Sequence, residues 1–316
     1  MARRALGPAT LAVVQAVEAA HEGEPVLVAC SGGADSLALA VAVTVLASRT
    51  GCAAHAVVVD HGLQPGSAEH SERVAVQVRE LGLPAEVATV TVTAGGQGPE
   101  AAARDARYDA LAAAFGAGER CYLGHTLDDQ AETVLLGLAR GSGLRSIAGM
   151  PAVRDRFVRP LLGLRRSVTR QACREQGVSW WDDPHNDDDR FARVRVRQSV
   201  LPVLEAELGP GVAEALARTA DLARYDADAL DALTPTGAPP DCTVLAGLAP
   251  AVRHRVLRAW LLAQGAHEVN QRHVLAVAAL VTDWHGQRWV EVPGLRVLRR
   301  AGVLVVEPHR PAVADR

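Results

Sequence analysis

Three short clusters in the chain carry residue types able to do chemistry. The first is Ser31-Gly32-Gly33-Ala34-Asp35-Ser36. Its glycines let backbone approach an anion, its hydroxyls add donors, and Asp35 could hold the magnesium that accompanies phosphates. The second is Asp60-His61-Gly62, an acid and an imidazole that could position a substrate or accept a proton. Taken alone, that pair reads as a turn shaped by Asp60 and Gly62. The third is His125-Thr126-Leu127-Asp128-Asp129-Gln130-Ala131-Glu132-Thr133. On a helix, Asp128 and Asp129 lie four and three residues before Glu132, so the carboxylates can share a face. Such a face suits magnesium or a cationic amine. Thr126 as a helix cap, with acids favoured in the first turn, accounts for the aspartates but gives no reason for His125.

The elements around these clusters predict how they meet. Val26 to Cys30 is a short apolar run, and a helix-length stretch follows it from Ser36 to Ser48. Ala54 to Val59, Ala85 to Val92 and Cys121 to Gly124 read as further strands. They alternate with helical patterns at 67–81, from Pro99 through Ala114, and from Leu127 to Ala139. That alternation predicts a parallel sheet covered on both faces, with ligands bound beyond the carboxyl ends of its strands. All three clusters stand at such ends and should converge on one crevice. After about Leu208 the character changes. A long helix (212–233), a Pro-rich connector (234–240), two helices and three short β-type runs suggest a small α+β appendage. The expected division is a catalytic domain at 1–208, a helical linker at 209–241 and a small domain at 242–316. The tail from Pro308 reads as disordered.

Composition narrows the function classes. The chain of 316 residues is 49% hydrophobic but only 3% aromatic, so Val, Leu and Ala build the core. No stretch reaches membrane-spanning length and the start is too polar for a secretory leader, which predicts a soluble, cytoplasmic protein. The five cysteines (30, 52, 121, 173, 242) lack any Cys-x-x-Cys spacing, which argues against a disulfide framework or a metal cluster. All 33 basic residues are arginine, so a phosphate loop ending in Gly-Lys-Ser/Thr cannot exist here. Net charge is −3, yet arginines dominate from Arg140 to Arg197, either as a phosphate-contacting face or as a solvated helix surface.

The Ser31–Ser36 loop between a strand and a helix resembles that of the PP-loop ATP pyrophosphatases. With Asp60-His61-Gly62-Leu63, Ala103 to Tyr108 and His125 to Thr133, the chain resembles the bacterial tRNA(Ile)-lysidine synthetases over nearly its whole length. Arg140-Gly141-Ser142-Gly143, Arg159-Pro160-Leu161-Leu162 and Asp182-Asp183-Pro184-His185-Asn186 extend the match. The family usually has Ser where His185 stands, and Arg-Asn-Arg-Ile-Arg where this chain reads Arg193-Val194-Arg195-Val196-Arg197.

The resemblance implies an α/β, Rossmann-like, adenine nucleotide α-hydrolase-like fold. It also implies ATP-dependent attachment of free L-lysine to C2 of the wobble cytidine in a CAU-anticodon tRNA(Ile), through an adenylated cytidine, with release of AMP and pyrophosphate. ATP and Mg2+ would then bind Ser31, Gly32, Gly33, Ala34, Asp35, Ser36 and Arg104, with Asp35 on the metal. Asp60, Asp129 and Glu132 would recognise lysine, and Asp35, Asp60, His125 and Asp129 form the catalytic set, with the general base unassigned. Arg193, Arg195 and Arg197 would contact RNA, sharing one face if they lie in a strand. Arg253, His254, Arg255, Arg258, Arg272 and His273 would grip tRNA or simply coat a helix. Trp180 and Trp181 read as core and rim rather than as a base-stacking pair. The resemblance leaves a homodimer open. Rival readings are a PP-loop tRNA thiolase, disfavoured by the cysteine spacing, a silent RNA-binding protein, and an enzyme adenylating a small acid or amide.

Overall fold

A computed structural model describes residues 6–60, 62, 66–90, 99–141, 143–182, 188–234 and 241–308, with only the backbone of 99–104. His61, Leu63, Ser142, residues 183–187 with His185, and most of the 234–240 connector and C-terminal tail lie outside them. The chain divides into two units. One holds residues 1–136 and 150–217, the other 137–149 and 218–316.

The first unit is built on a sheet ordered β3-β2-β1-β4-β6-β5, made of β1 (Val26–Cys30), β2 (Ala54–Asp60), β3 (Ala85–Thr89), β4 (Arg120–Leu123), β5 (Val153–Arg154) and β6 (Phe157–Val158). β1 pairs in parallel with β2 and β4, β2 with β3 and β4 with β6, while β5 runs antiparallel at the edge. β1 is buried throughout. Its Val26, Val28 and Cys30 join the core formed with α1 (Pro8–Ala20), α2 (Ala34–Thr50), α3 (Ser67–Glu80) and α7 (Arg166–Gln176). Leu27 and Ala29 face the opposite core, with Leu111 of α4 (Pro99–Ala113) and Phe157. A strand covered on both faces has no polar side, which is why its sequence reads as an unbroken apolar run. The chain leaves β1 towards β2, whereas β4 lies on the other flank. The crevice between the β1 and β4 ends is therefore the switch point where such sheets bind ligands.

α5 (Leu127–Arg140) follows β4, and α6 (Leu144–Ile147) belongs to the second unit. The arginine-rich run is helical rather than extended. α8 (Ala192–Arg195) continues through a π-turn (Val196–Val200) into α9 (Leu201–Leu208). The strand geometry considered for Arg193, Arg195 and Arg197 is thus corrected: 3.6 residues per turn puts Arg193 and Arg197 together and sends Arg195 elsewhere. The hairpin of β5 and β6 has strands of two residues each, too short to leave a period in the sequence.

In the second unit, α10 (Val212–Ala232, from residue 218), α11 (Cys242–Gly247), α12 (Pro250–Ala263) and α13 (Gln271–Thr282) accompany an antiparallel sheet. That sheet is ordered β7 (Val290–Val292), β8 (Leu295–Arg300), β9 (Val303–Pro308). Val256, Leu257, Leu261, Val277, Leu280 and Val297 fill its core. Asp241 caps α11 by accepting from the amides of Thr243 and Val244, and Asn270 with His273 forms a capping box on α13. Among the described residues, no helix is long and apolar enough to cross a membrane.

Candidate active site

The Ser31–Ser36 loop is shaped by its own hydroxyls. Ser36 Oγ donates to the Gly33 carbonyl at 2.9 Å and accepts from the Ser31 amide at 3.1 Å. Gly33 caps α2 without any side-chain bond, and the first intrahelical bond of the series runs from Leu37 to Gly33. The amides of Ala34, Asp35 and Ser36 precede that bond, so they belong to the unsatisfied first turn that attracts anions. Asp35 and Ser36 do not cap the helix as an ordinary turn would require. Gly32 has φ +80°, and a Cβ there would come within 2.5 Å of Val74 Cγ2, so both conformation and space demand glycine. Trp181 donates its amide to the Gly32 carbonyl, tying the loop from above.

Gly124, at the end of β4, is where the two strand ends meet. A Cβ would sit 3.0 Å from backbone atoms of Asp35 and Ser36. Backbone cannot yield as a flexible side chain does, so the loop itself would move. Gly124→Ala is expected to weaken polyphosphate binding at the loop roughly 10-fold or more, since a misplacement of about 1 Å can cost about 10²-fold. Equilibrium dialysis of labelled pyrophosphate checks this, and an unchanged affinity would contradict it.

Together the strand ends enclose a cleft of ≈ 470 Å³ that involves Ser31, Gly33, Ala34, Asp35, Ser36, Gly124, His125 and Asp129. Arg107, Arg166, Arg170, Trp181, Asp182, Arg197 and Gln198 complete its wall, and sequence reading did not select these for the nucleotide site. Arg166 and Arg170 were visible only as members of a basic run, and nothing in their spacing separated them from surface arginines. The π-turn carries Arg197 and Gln198 into the cleft, an irregularity often found at functional sites.

Arg166 lies at the centre of the charge network. Its Nη2 donates to Asp129 Oδ1 at 2.6 Å and its Nε to Asp35 Oδ2 at 3.3 Å, and Nη1 stands 3.6 Å from Glu132 Oε1. Burial works against the guanidinium charge, but Asp129, Asp35, Glu132 and Asp128 outweigh it. Thr169 Oγ1 donates to the other Asp35 oxygen in a very short contact. Burial pushes the Asp35 carboxyl up, the Thr169 bond and Arg166 oppose this, and the charge of Asp129 adds to it. Asp129 goes the other way. Burial alone would raise it, yet Arg166, the Thr126 amide and hydroxyl, and His125 hold it below the ordinary carboxylate range. Thr126 and Asp129 therefore close the first turn of α5, as the capping pattern suggested, but it is Asp129 that accepts from the Thr126 amide.

Glu132 is fully buried and belongs to arginines. Arg197 approaches both its oxygens, at 2.7 and 3.1 Å, and Arg193 Nε lies 3.6 Å away. Arg193 also donates to Thr133 Oγ1, while Arg195 bonds the carbonyls of Asp189 and Arg190. Asp128 turns aside to the Arg166 amide and to Arg165, which reaches Glu205 and Glu214. The three carboxylates of α5 thus do not gather on one ion. Among the described residues, no set of three or more His, Cys, Asp or Glu groups forms a metal cage. Magnesium needs no such cage when it takes one or two carboxylates and the rest from phosphates and water. Asp35 and Asp129, hard oxygen donors beside an anion-binding loop, fit that demand.

Asp60 is buried at the end of β2, where its Oδ1 accepts from the Gly62 amide. It is not among the cleft residues. Arg104 belongs to α4 with its side chain outside the described residues; Arg107, one turn on, faces the cleft.

His125 lines the cleft with Nδ1 buried and without a hydrogen-bond partner. Burial lowers its pKa to about 3, with Asp129 opposing and Arg107, Arg159 and Arg193 assisting. At neutral pH it is an uncharged imidazole offering hydrogen bonds. The unfolded chain, at the ordinary 6.5, takes up this proton first, so stability falls as pH drops from 6.5 towards about 3. His125→Gln is expected to flatten that decline. Urea midpoints at pH 7 and 5 measure it, and equal slopes for variant and wild type would contradict it.

In the second unit, Arg253 donates to the carbonyls of Leu245 and Leu248, Arg255 pairs with Asp231 and His273 completes a cap. Arg258 and Arg272 are exposed.

A parallel sheet with an amide-lined loop and buried acids at its switch point defines an ATP-using enzyme of the PP-loop class, and residues 9–204 match the PP-loop domain family. Residues 241–305 match the TilS substrate binding domain. A tRNA(Ile)-lysidine synthase of Leifsonia xyli subsp. xyli is 54% identical over 302 residues, 91% of each chain. One from Streptomyces coelicolor is 52% identical over 295 residues, covering 88% of this chain and 83% of that one. The chain belongs to the tRNA(Ile)-lysidine synthase family. The U34-tRNA thiolase NcsA from Methanococcus maripaludis, solved with its 4Fe-4S cluster, superposes with a TM-score of 0.53 at 15% identity. That likeness covers 69% of this chain and 79% of the thiolase and concerns the fold alone.

Proposed function

We propose that this enzyme forms lysidine on tRNA(Ile), as its relatives' names state of them. ATP would activate the C2 oxygen of the wobble cytidine in a CAU anticodon, and the ε-amine of free lysine would then displace AMP. The observation that carries this reading is the juxtaposition, in one cleft, of the first-turn amides of α2 with the half-buried Asp35–Arg166–Asp129 cluster.

Pyrophosphate leaving from the α-phosphorus needs donors aimed at developing charge, and the amides of Ala34 to Ser36 supply them without reorganisation. Arg107, Arg170 and Arg166 add positive charge along the same wall. Magnesium, when bound by Asp35 with Asp129 beside it, would neutralise the leaving group. His125, neutral and short of one partner, would hydrogen-bond the adenylated base. Asp129, held ionised, would hold the lysine ammonium, which must give up a proton to a base before its lone pair can displace AMP, with Glu132 behind Asp129 fixing Arg193 and Arg197. Roles for Asp60 and Arg104 in this reaction, and RNA contact by Arg193, Arg195 and Arg197, rest on the family resemblance. A cytoplasmic location follows from a tRNA substrate, and a homodimer is compatible with the reading.

Trapping the intermediate tests this directly. With lysine withheld, α-labelled ATP should transfer AMP to a CAU tRNA(Ile) transcript, and lysine should chase the label off as AMP. Label that never reaches the tRNA would overturn the adenylation step.

A further inference from the structure

The acidic pair proposed to receive cations already holds one. Asp35 Oδ2 and Asp129 Oδ1 are both taken by Arg166, at 3.3 and 2.6 Å, and Arg197 Nη2 stands 3.6 Å from the same Asp129 oxygen. The other oxygens of the two carboxylates are engaged by Thr169 and by Thr126. A lysine ammonium arriving at Asp129 would therefore meet a competitor with the same charge and better hydrogen-bond geometry, since a guanidinium forks across two carboxylates where an ammonium is a point charge. Glu132 offers no alternative seat, being fully buried with both oxygens on Arg197.

Arg166 is also placed to leave. It occupies the first position of α7 and lines the cleft together with Ser31, Gly33 and Ser36 of the anion loop. Polyphosphate in that cleft would present an alternative, more highly charged partner beside the carboxylates the guanidinium now holds.

Resting on the lysine-ligating reading above, we propose that Arg166 is a latch on the amine site: it fills the Asp35–Asp129 seat in the free enzyme and exchanges it for the phosphates of bound ATP. Lysine then gains Asp129 only after nucleotide has entered, which imposes an order on binding. Arg166 acts through these carboxylates and the nucleotide, so it is a positioning residue that also sets access.

The test is equilibrium dialysis of radiolabelled L-lysine against the full-length protein, with and without Mg2+ and α,β-methylene-ATP, which cannot release pyrophosphate. Wild type should bind lysine at least about 10-fold more tightly with the analogue, the scale of one charge-assisted hydrogen bond. Arg166→Gln should bind lysine without nucleotide as tightly as wild type does with it, while its KM for ATP rises. Arg166→Lys, which keeps a cation, should restore part of the nucleotide dependence. Circular dichroism and melting curves establish that the variants are folded. A merely structural arginine would give no gain in lysine affinity on removal. Wild type binding lysine equally with and without the analogue, or Arg166→Gln binding no more tightly than free wild type, overturns the latch alone. No lysine binding under any of these conditions sinks the lysine seat, and the latch with it.

Discussion

Asp35→Asn is expected to cut both pyrophosphate release and lysidine formation by about 10²–10³-fold, the usual cost of losing a key charge-stabilising group. The isosteric amide keeps the size of the side chain, so the loop geometry set by Ser36, Gly33 and Ser31 should survive. What disappears is the negative charge proposed to hold magnesium against the departing phosphates. Stability should not suffer. Burial and the neighbouring Asp129 already disfavour the Asp35 carboxylate, so removing its charge relieves a repulsion even as one bond to Arg166 weakens. Parallel single-turnover assays of adenylation and of the complete reaction measure the effect. An equal fall in both places Asp35 at the shared first step, whereas a fall of less than tenfold would remove it from the chemistry.

The second large effect is on stability. Glu132→Gln should destabilise the protein by about 2–3 kcal/mol, below the ~3–5 typical of a broken buried ion pair because the arginines are partly hydrated. Glu132 is fully inaccessible and serves Arg197 at both oxygens, with Arg193 and Arg166 close by. An amide keeps one acceptor oxygen where the carboxylate has two, carries no charge, and turns its NH₂ towards donors. Arg166 would keep Asp129 and Asp35, but Arg193 and Arg197 would lose their main counter-charge, and α8 and its π-turn would lose their anchor on α5. Urea unfolding at constant pH reads the difference. A loss under about 0.5 kcal/mol, the size of an ordinary surface change, would contradict the account of Glu132 as the counter-charge of this helix.

Much of this was legible in the sequence because the sheet is parallel and its strands are buried on both sides. Apolar runs such as Val26 to Cys30 mark such strands, and whatever polar residues follow them must sit at the carboxyl edge. The loop at Ser31–Ser36 and the cluster from His125 to Asp129 were found that way, and the structure brings them together in one cleft. The arginines were harder. A basic run gives no sign of which members turn inward, and α7 begins with Arg166 on two carboxylates, Asp35 and Asp129, that lie 131 and 37 positions away along the chain. The alternation of Arg193, Arg195 and Arg197 puts all three on one face only in a strand, whose period is two. Here tertiary pairing decides instead, with Glu132 drawing Arg193 and Arg197 to one face of a helix. Glu132 itself was read as a ligand for an incoming cation, since a lone acid on a helix face says nothing about the arginines that reach it from elsewhere.

The most direct test of the central claim is incorporation of radiolabelled lysine into a CAU-anticodon tRNA(Ile) transcript, with ATP and magnesium, beside an elongator methionine tRNA as control. The expected result is ATP-dependent labelling of the isoleucine tRNA alone, with nuclease digestion releasing the label as a single modified cytidine. Properly folded enzyme that transfers AMP to the tRNA yet never incorporates lysine would contradict the lysine assignment, and labelling of both tRNAs would contradict the substrate.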